Sequence, residues 1–285
     1  MTIEAFDRVD LDGTGFDRIT EGEVVAVVRE ALADGRGGRI ITPNIDILRQ
    51  ARAAGRAYLD DADLIVADGM PLVWASKLSG TPLPERVAGS SLIRSLSTGL
   101  GRDGCSIFVI GGSPATPSAA DGAVRAAARL AADCPGLRIA GTLCPEYDFE
   151  RDRAAYTEFR AAVRAAQPDL VFVGLGFPKQ EKVITRLRAE LPRTWFIGCG
   201  AAVNFVAGDI DRAPRWMQRT GLEWAHRLVS EPRRLASRYL KHDAPYALRL
   251  LTASALDLPR SWTCGGLYKR YAAFVARHNS KIDKG

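Results

Sequence analysis

The chain has 285 residues, 47% of them apolar, with no apolar run near the roughly eighteen residues a membrane span requires, which is the composition of a soluble protein with an ample core. Its five Cys show no close pairing and its three His (His226, His242, His278) all fall late, which fits a reducing cytosol and excludes a zinc knuckle or a His-based metal or triad site. The net charge of +6 is uneven: 15 basic and 6 acidic residues from Asp211 onward give +9 and leave −3 for residues 1–210, so a basic tail on a mildly acidic body points to an anionic partner.

Met1 to Asp12 is acidic and lacks an apolar signal core, so no export is expected. Residues 1–20 read as short strands and turns, with Val9 to Leu11 followed by Asp12-Gly13. Val24, Val25, Val28 and Leu32 have helical spacing over Glu21 to Ala33. Arg39 to Thr42 reads as a strand, and Pro43-Asn44 turns into a helix from Ile45 to Leu59, for which Asn44 is a natural N-cap. Leu64 to Ala67 is a short apolar run bounded by turn residues, the pattern of a strand buried on both faces. Asp68 closes it, either as a carboxylate at a strand end with a proton to take or as a cap on the helix that begins near Pro71.

A helix through Trp74 to Leu78, a Pro-rich loop from Ser79 to Arg86 and a helix from Ser90 to Thr98 follow. Cys105 to Ile110 is a strand, broken by Gly111-Gly112-Ser113-Pro114 before a helix over Ser118 to Ala132. A strand, glycine turn and helix make a phosphate-binding candidate, because a helix N-terminus offers free N–H groups. Leu137 to Leu143 reads as a strand, Arg151 to Ala166 as a helix, and Asp169 to Gly174 and Thr194 to Gly198 as the last buried strands. This alternation predicts an α/β body with a Rossmann-like, mostly parallel sheet and helices on both faces. Beyond Gly208 the pattern changes to helices rich in Arg and Trp, with a mildly apolar stretch at Ala244 to Leu258 and a basic end from Lys269. The expected division is a catalytic domain over 1–208 and a helical, basic C-terminal appendage over 209–285.

In a parallel sheet the carboxyl ends of the strands share one rim. Here that rim collects Thr42, Asn44, Asp68, Gly111-Gly112, Gln180 with Glu181, and Gly198 to Asn204. Glycine turns, one carboxylate and neutral hydrogen-bonding groups suit a nucleotide-sugar or dinucleotide pocket. No G-x-G-x-x-G follows the first strand, which disfavours the dinucleotide. The D-x-D triplets at Asp10-Leu11-Asp12, Asp61-Ala62-Asp63 and Asp209-Ile210-Asp211 follow no convincing buried strand, so neither a metal nor another cofactor is expected.

Several of these residues fall into a known order. Thr42-Pro43-Asn44, Ala67-Asp68-Gly69, Glu85-Arg86-Val87-Ala88-Gly89, Gly174-Leu175-Gly176-Phe177-Pro178-Lys179-Gln180-Glu181, Arg212-Ala213-Pro214-Arg215-Trp216, Gly221-Leu222-Glu223-Trp224, Arg227-Leu228 and Glu231-Pro232-Arg233-Arg234-Leu235 are arranged as in the WecG/TagA/CpsF glycosyltransferases. The chain resembles that family from about Val9 to His242. The resemblance implies an inverting enzyme of glycosyltransferase family 26. Such enzymes carry a sugar, in the leading case N-acetylmannosamine, from a UDP-sugar to a polyprenyl-diphosphate-linked GlcNAc acceptor in cell-wall, exopolysaccharide or teichoic acid assembly. It also implies catalysis without a bound metal, a peripheral place on the inner membrane face, attachment through the appendage to an anionic membrane surface, and a homo-oligomer.

Position by position, Asp68 resembles the family's proposed base, and Thr42 and Asn44 its sugar- or acceptor-orienting residues. Arg86 and Gln180 match pocket positions. Arg227, Arg233 and Arg234 fall where the appendage supplies arginines. Gly111, Gly112, Gly176, Glu181 and Gly200 complete the expected substrate-binding rim, with Asn204 standing where many members carry Asp. The alternative class is a nucleic-acid-binding protein, since Trp and Tyr lie among the tail's arginines. The polar strand-end rim would serve no purpose in such a protein, so nucleic acid is not an expected partner.

Overall fold

The computed structural model describes residues 6–256. The chain begins with a hairpin of β1 (Arg8–Leu11) and β2 (Thr14–Asp17), turned by Asp12 and Gly13, both at positive φ. Positive φ at both turn positions matches the right-handed twist of the flanking strands. Helix α1 (Glu21–Ala33) starts on a capping box, with Thr20 and Glu23 exchanging side-chain and backbone bonds. Next come β3 (Gly38–Ile41), α2 (Ile45–Gln50), a π-helical stretch over Ala51–Gly55, α3 (Arg56–Asp60), β4 (Leu64–Ile65), α4 (Met70–Leu78) and α5 (Gly89–Arg102). The second half runs β5 (Ser106–Gly111), α6 (Gly122–Asp133), β6 (Arg138–Leu143), a 3₁₀ turn at Phe149–Arg151, α7 (Arg153–Ala166), β7 (Leu170–Gly174), α8 (Lys179–Glu190), β8 (Trp195–Gly198) and α9 (Ala202–Ala207).

Six strands form one parallel sheet in the order β4-β3-β8-β7-β5-β6, with Ile40 opposite both Leu64 and Ile197, and Val171 opposite both Phe108 and Phe196. The apolar runs are continuous because both faces are covered. Val24, Val28, Leu92, Leu96, Ala126, Leu130 and Val203 of α1, α5, α6 and α9 pack on one face. Tyr156, Phe159, Val163, Ile184 and Leu187 of α7 and α8 pack on the other.

Three expectations are adjusted. The run Leu64 to Ala67 contributes only two residues to the ladder, because β4 is an edge strand rather than a central one. Its outward amide is satisfied by a carboxylate: Ile65 N donates to Asp17 Oδ2 at 2.7 Å, and Asp17 is buried. Helix α5 runs four residues past Thr98. Gly99 and Gly101 continue it because Val25 and the Pro135 carbonyl press against them and leave no space for a side chain. Helix α6 starts at Gly122 rather than Ser118, since Asp121 is its N-cap and accepts from Val124 N at 3.0 Å.

After α9 the chain is helical, as its composition suggested: α10 (Arg215–Thr220), α11 (Glu223–Ser230), α12 (Pro232–Arg238), a π-helical turn over Tyr239–Asp243 and α13 (Ala244–Leu256). Helix α13 packs back on the body. Tyr246 and Leu250 are buried in a third cluster with Val9, Leu11, Leu48, Leu59, Leu72 and Ala75. The Tyr246 hydroxyl donates to Asp12 Oδ2 at 2.5 Å, and Arg238 reaches Asp46 of α2 at 3.5 Å. The stretch beyond residue 242, which the family resemblance did not cover, is therefore part of the folded core up to residue 256. The basic end from Lys269 lies outside the described residues.

Candidate active site

The carboxyl ends of β3, β4 and β8 meet on one rim. Asp68 N donates to the Pro43 carbonyl at 3.0 Å, which clips the turn after β4 to the turn after β3. Thr42 is buried, and its Oγ1 donates to the Gly198 carbonyl at 3.4 Å, which joins that turn to β8. The local alternatives for the two polar residues resolve in opposite directions. Asn44 caps α2, its Oδ1 accepting from Ile47 N at 2.9 Å. Asp68 does not cap the helix that follows it: the N-cap of α4 is Gly69, with no side-chain bond. Its Oδ2 instead takes a long bond, 3.4 Å, from Gly89 N at the start of α5.

Charged groups converge on that carboxylate. Burial raises the Asp68 pKa above the ordinary carboxylate value, and the nearby charge of Glu223 adds to the rise. Arg86, Arg227 and the Gly89 amide oppose it. Arg86 donates to Glu223 Oε2 at 2.8 Å, and Arg212 Nε lies 3.6 Å from Glu223 Oε1. Glu223 is itself buried; the charges of Arg86, Arg212 and Arg227 and the bond from Arg86 outweigh its desolvation and hold its pKa low. Arg212 also donates to Ser91 Oγ at 2.8 Å and to the Ser90 carbonyl at 3.3 Å. Arg227 lies with its guanidinium 4.9 Å from the Phe205 ring centre, and its buried Nε has no partner among the described residues. The Asn204 Oδ1, on the helix that carries Phe205, is likewise buried without a partner. Donors and acceptors left open at a strand-end rim are free to meet a ligand.

Glu223 and Arg212 are the residues missed at the level of single positions. Both stand inside the motifs quoted above, but nothing local marks them: their partners lie 137 and 121 residues away.

The remaining candidates divide by what holds them. Gln180 is buried, and its Oε1 accepts from Gly176 N and Gly200 N, both at 3.1 Å, tying together the loops after β7 and β8. Its amide nitrogen donates to Glu181 Oε1 at 2.9 Å. Glu181 is fully buried and pairs through Oε2 with Arg39 Nη2 of β3 at 2.6 Å, so it faces the sheet interior and not the rim. Gly111 and Gly112 have positive φ, and a side chain on them would strike Gly174 O at 2.5 Å and Gly122 Cα at 2.7 Å. Two amides at the start of α6 are engaged, Gly122 N by Ser113 O and Val124 N by Asp121. Those two glycines accordingly serve close packing of strand on helix. Arg233 is exposed on α12, while the side chain of Arg234 lies outside the described residues.

Four of the six D-x-D acids hold arginines: Asp12 binds Arg52, Asp61 and Asp63 bind Arg39 and Arg188, and Asp209 binds Arg125. Among the described residues the rim thus presents one carboxylate without an ion-pair partner, of raised pKa, with the guanidiniums of Arg86 and Arg227 near it and Arg86 held by its own counter-ion, Glu223. Such a set can take a proton at one point and receive negative charge a few ångströms away.

The chain is similar to proteins of known family. The profile of the family described as "Glycosyl transferase WecG/TagA/CpsF family" matches residues 9–259. The chain is 33% identical over 234 residues to an N-acetylglucosaminyldiphosphoundecaprenol N-acetyl-beta-D-mannosaminyltransferase of Bacillus spizizenii, covering 81% of this chain and 84% of the relative. It is 30% identical over 202 residues to the enzyme of the same name from Bacillus subtilis, covering 70% of this chain and 74% of the relative.

Proposed function

Because this chain belongs to the WecG/TagA/CpsF family and is a glycosyltransferase, we propose that it transfers N-acetylmannosamine from a UDP-sugar, with inversion, to a polyprenyl-diphosphate-linked GlcNAc. The observation that carries this reading is the half-buried Asp68 carboxylate, which has no ion-pair partner among the described residues and lies near Arg86 and Arg227, with Arg86 held by Glu223. Asp68 removes the acceptor hydroxyl's proton as that oxygen attacks the anomeric carbon. The bond from that carbon to the β-phosphate oxygen breaks, and the arginines receive the charge that develops on the leaving diphosphate. Thr42 and Asn44 line the approach to Asp68, and Asn204 offers an amide to the donor. Arg233, exposed on α12, adds positive charge to the α11–α12 segment.

The same reading makes residues 209–285 an appendage that rests on an anionic membrane on its cytoplasmic face. No helix among the described residues is long and apolar enough to cross a membrane. Trp216, Trp224, Val229 and Leu240 are exposed on the appendage, as amphipathic anchors in a headgroup layer would be. Leu235, on the same segment, is turned inward and buried, so it takes no part in such an anchor. The tail's excess of nine positive charges supplies attraction of about 1 kcal/mol per basic residue close to the surface. Self-association belongs to the reading as well, with exposed Trp74, Leu78 and Leu222 as available apolar surface. Nothing in the site favours nucleic acid, since its arginines gather around carboxylates at strand ends.

The test is a donor screen on the full chain with a synthetic GlcNAc-diphospho-lipid, read by mass spectrometry with and without EDTA. One added N-acetylhexosamine mass from UDP-N-acetylmannosamine, insensitive to EDTA, is the expected product. A requirement for Mn²⁺, or no transfer from any UDP-sugar, would refute the reading. Liposome pelleting completes it: Arg227→Ala should reduce transfer far more than binding to anionic vesicles, because one charge among many barely changes surface attraction.

A further inference from the structure

Helix α11 begins where the chain is pressed on the rim. Gly221 sits at φ +79 directly against Met70, just after Asp68-Gly69, and a side chain there would overlap Met70. Two residues later Glu223 enters the interior, 8% exposed, an uncommon place for a carboxylate. Four residues on, one helical turn, Arg227 lies on the same side of the helix. Glu223 accepts from Arg86 at 2.8 Å and lies 3.6 Å from Arg212, so two cations from different parts of the chain are anchored on one acid.

That pairing decides what Asp68 can do. Arg86 is the largest charge acting to keep Asp68 ionised, yet its nearest carboxylate partner is Glu223. A guanidinium paired directly with Asp68 would make that carboxylate a weak base and block the acceptor's approach. Resting on the reading that Asp68 is the base, we propose that Glu223 is a positioning residue of the transfer site, the counter-ion that holds Arg86 off Asp68 and leaves that carboxylate free to take a proton. Four groups face Asp68: Arg86 from the loop before α5, the Gly89 amide from α5, and Glu223 and Arg227 from α11. Neutralising Glu223 removes a negative neighbour and at the same time releases Arg86 toward Asp68. Both changes lower the proton affinity of Asp68.

The experiment compares pH–rate profiles of the full-length protein with those of Glu223→Gln and Glu223→Asp, and runs a double-mutant cycle with Arg86→Ala. Glu223→Gln should lose activity on the order of tenfold, as when a partner that orients a site group is removed. The loss should fall on kcat more than on KM for the UDP-sugar, and the acidic limb of kcat should move to lower pH. Glu223→Asp, which keeps the charge, should return that limb toward its original position. In the Arg86→Ala background, Glu223→Gln should add less than its loss in the parent, because the acid acts largely through that arginine. An unmoved acidic limb in Glu223→Gln, or losses that multiply independently in the cycle, would overturn the inference. If Asp68→Asn is inactive while Glu223→Gln keeps the full rate and profile, this inference alone fails. If Asp68→Asn transfers normally, the reading beneath it fails too.

Discussion

Asp68→Asn is expected to lower transfer by about 10²- to 10⁴-fold, the usual worth of a general base, and to leave the fold intact. The substitution keeps the side chain's size and its ability to accept from Gly89 N. It removes the proton acceptor. The stability effect has a definite sign. Burial raises the folded-state pKa of Asp68, so the native state binds its proton more tightly than the unfolded chain does. Such a group contributes most stability below the unfolded-state pKa, and that contribution is lost as pH rises through the folded-state value. At neutral pH, above the unfolded-state value, the carboxylate is therefore a liability to the fold, and the neutral amide should unfold at the same temperature or higher. Rate assays beside thermal melts at pH 7 check both parts. An inactive variant that melted well below the parent would attribute the loss to unfolding instead, and a fully active one would remove Asp68 from the mechanism.

Arg39→Ala is expected to cost about 3–5 kcal/mol of stability, the range for breaking a buried ion pair from one side. The side chains of Arg39 and Glu181 are both fully buried and 2.6 Å apart. Arg39 also donates to Asp61 at 3.0 Å and to Thr185 at 3.2 Å. Truncation leaves the Glu181 carboxylate inside the sheet with one neutral donor, the Gln180 amide. Against a total stability of about 5–15 kcal/mol for a domain, that is a large share. Urea unfolding should show a lower midpoint with an unchanged slope. Replacing both partners by apolar residues of similar volume should recover most of the loss, because the expensive state is the unpaired charge and not the absent pair. A single variant that lost less than about 1 kcal/mol would mean that water or rearrangement reaches Glu181. The consequence extends to the rim, since Gln180, braced by Glu181, holds the amides of Gly176 and Gly200 together.

The layered α/β body was readable from the chain alone because its signals are local. Apolar runs such as Ser106 to Gly111 and Leu170 to Gly174 are bounded by glycine and polar residues, and the intervening segments carry helical spacing. Parallel strands then require their carboxyl ends on one rim, which placed Thr42, Asp68, Gln180 and Gly200 together before any coordinates. The charge imbalance of the tail is a property of composition and was equally visible. Pairing was not. Asn44 and Asp68 occupy the same kind of position, a polar residue between a strand and a helix, and local pattern allows a cap at both. Tertiary contacts decide that one caps and the other stays open to charge from α11. Glu181 read as a rim residue because its neighbour Gln180 is one, yet helix geometry turns adjacent side chains about 100° apart, and Glu181 faces the sheet and Arg39, 142 residues away. The pairing of Arg86 with Glu223 spans 137 residues and follows from where α11 lands on α4, which no local periodicity encodes. Sequence determined which groups reach the rim; only the folded chain decided which of them are neutralised by one another and which carboxylate remains unpaired.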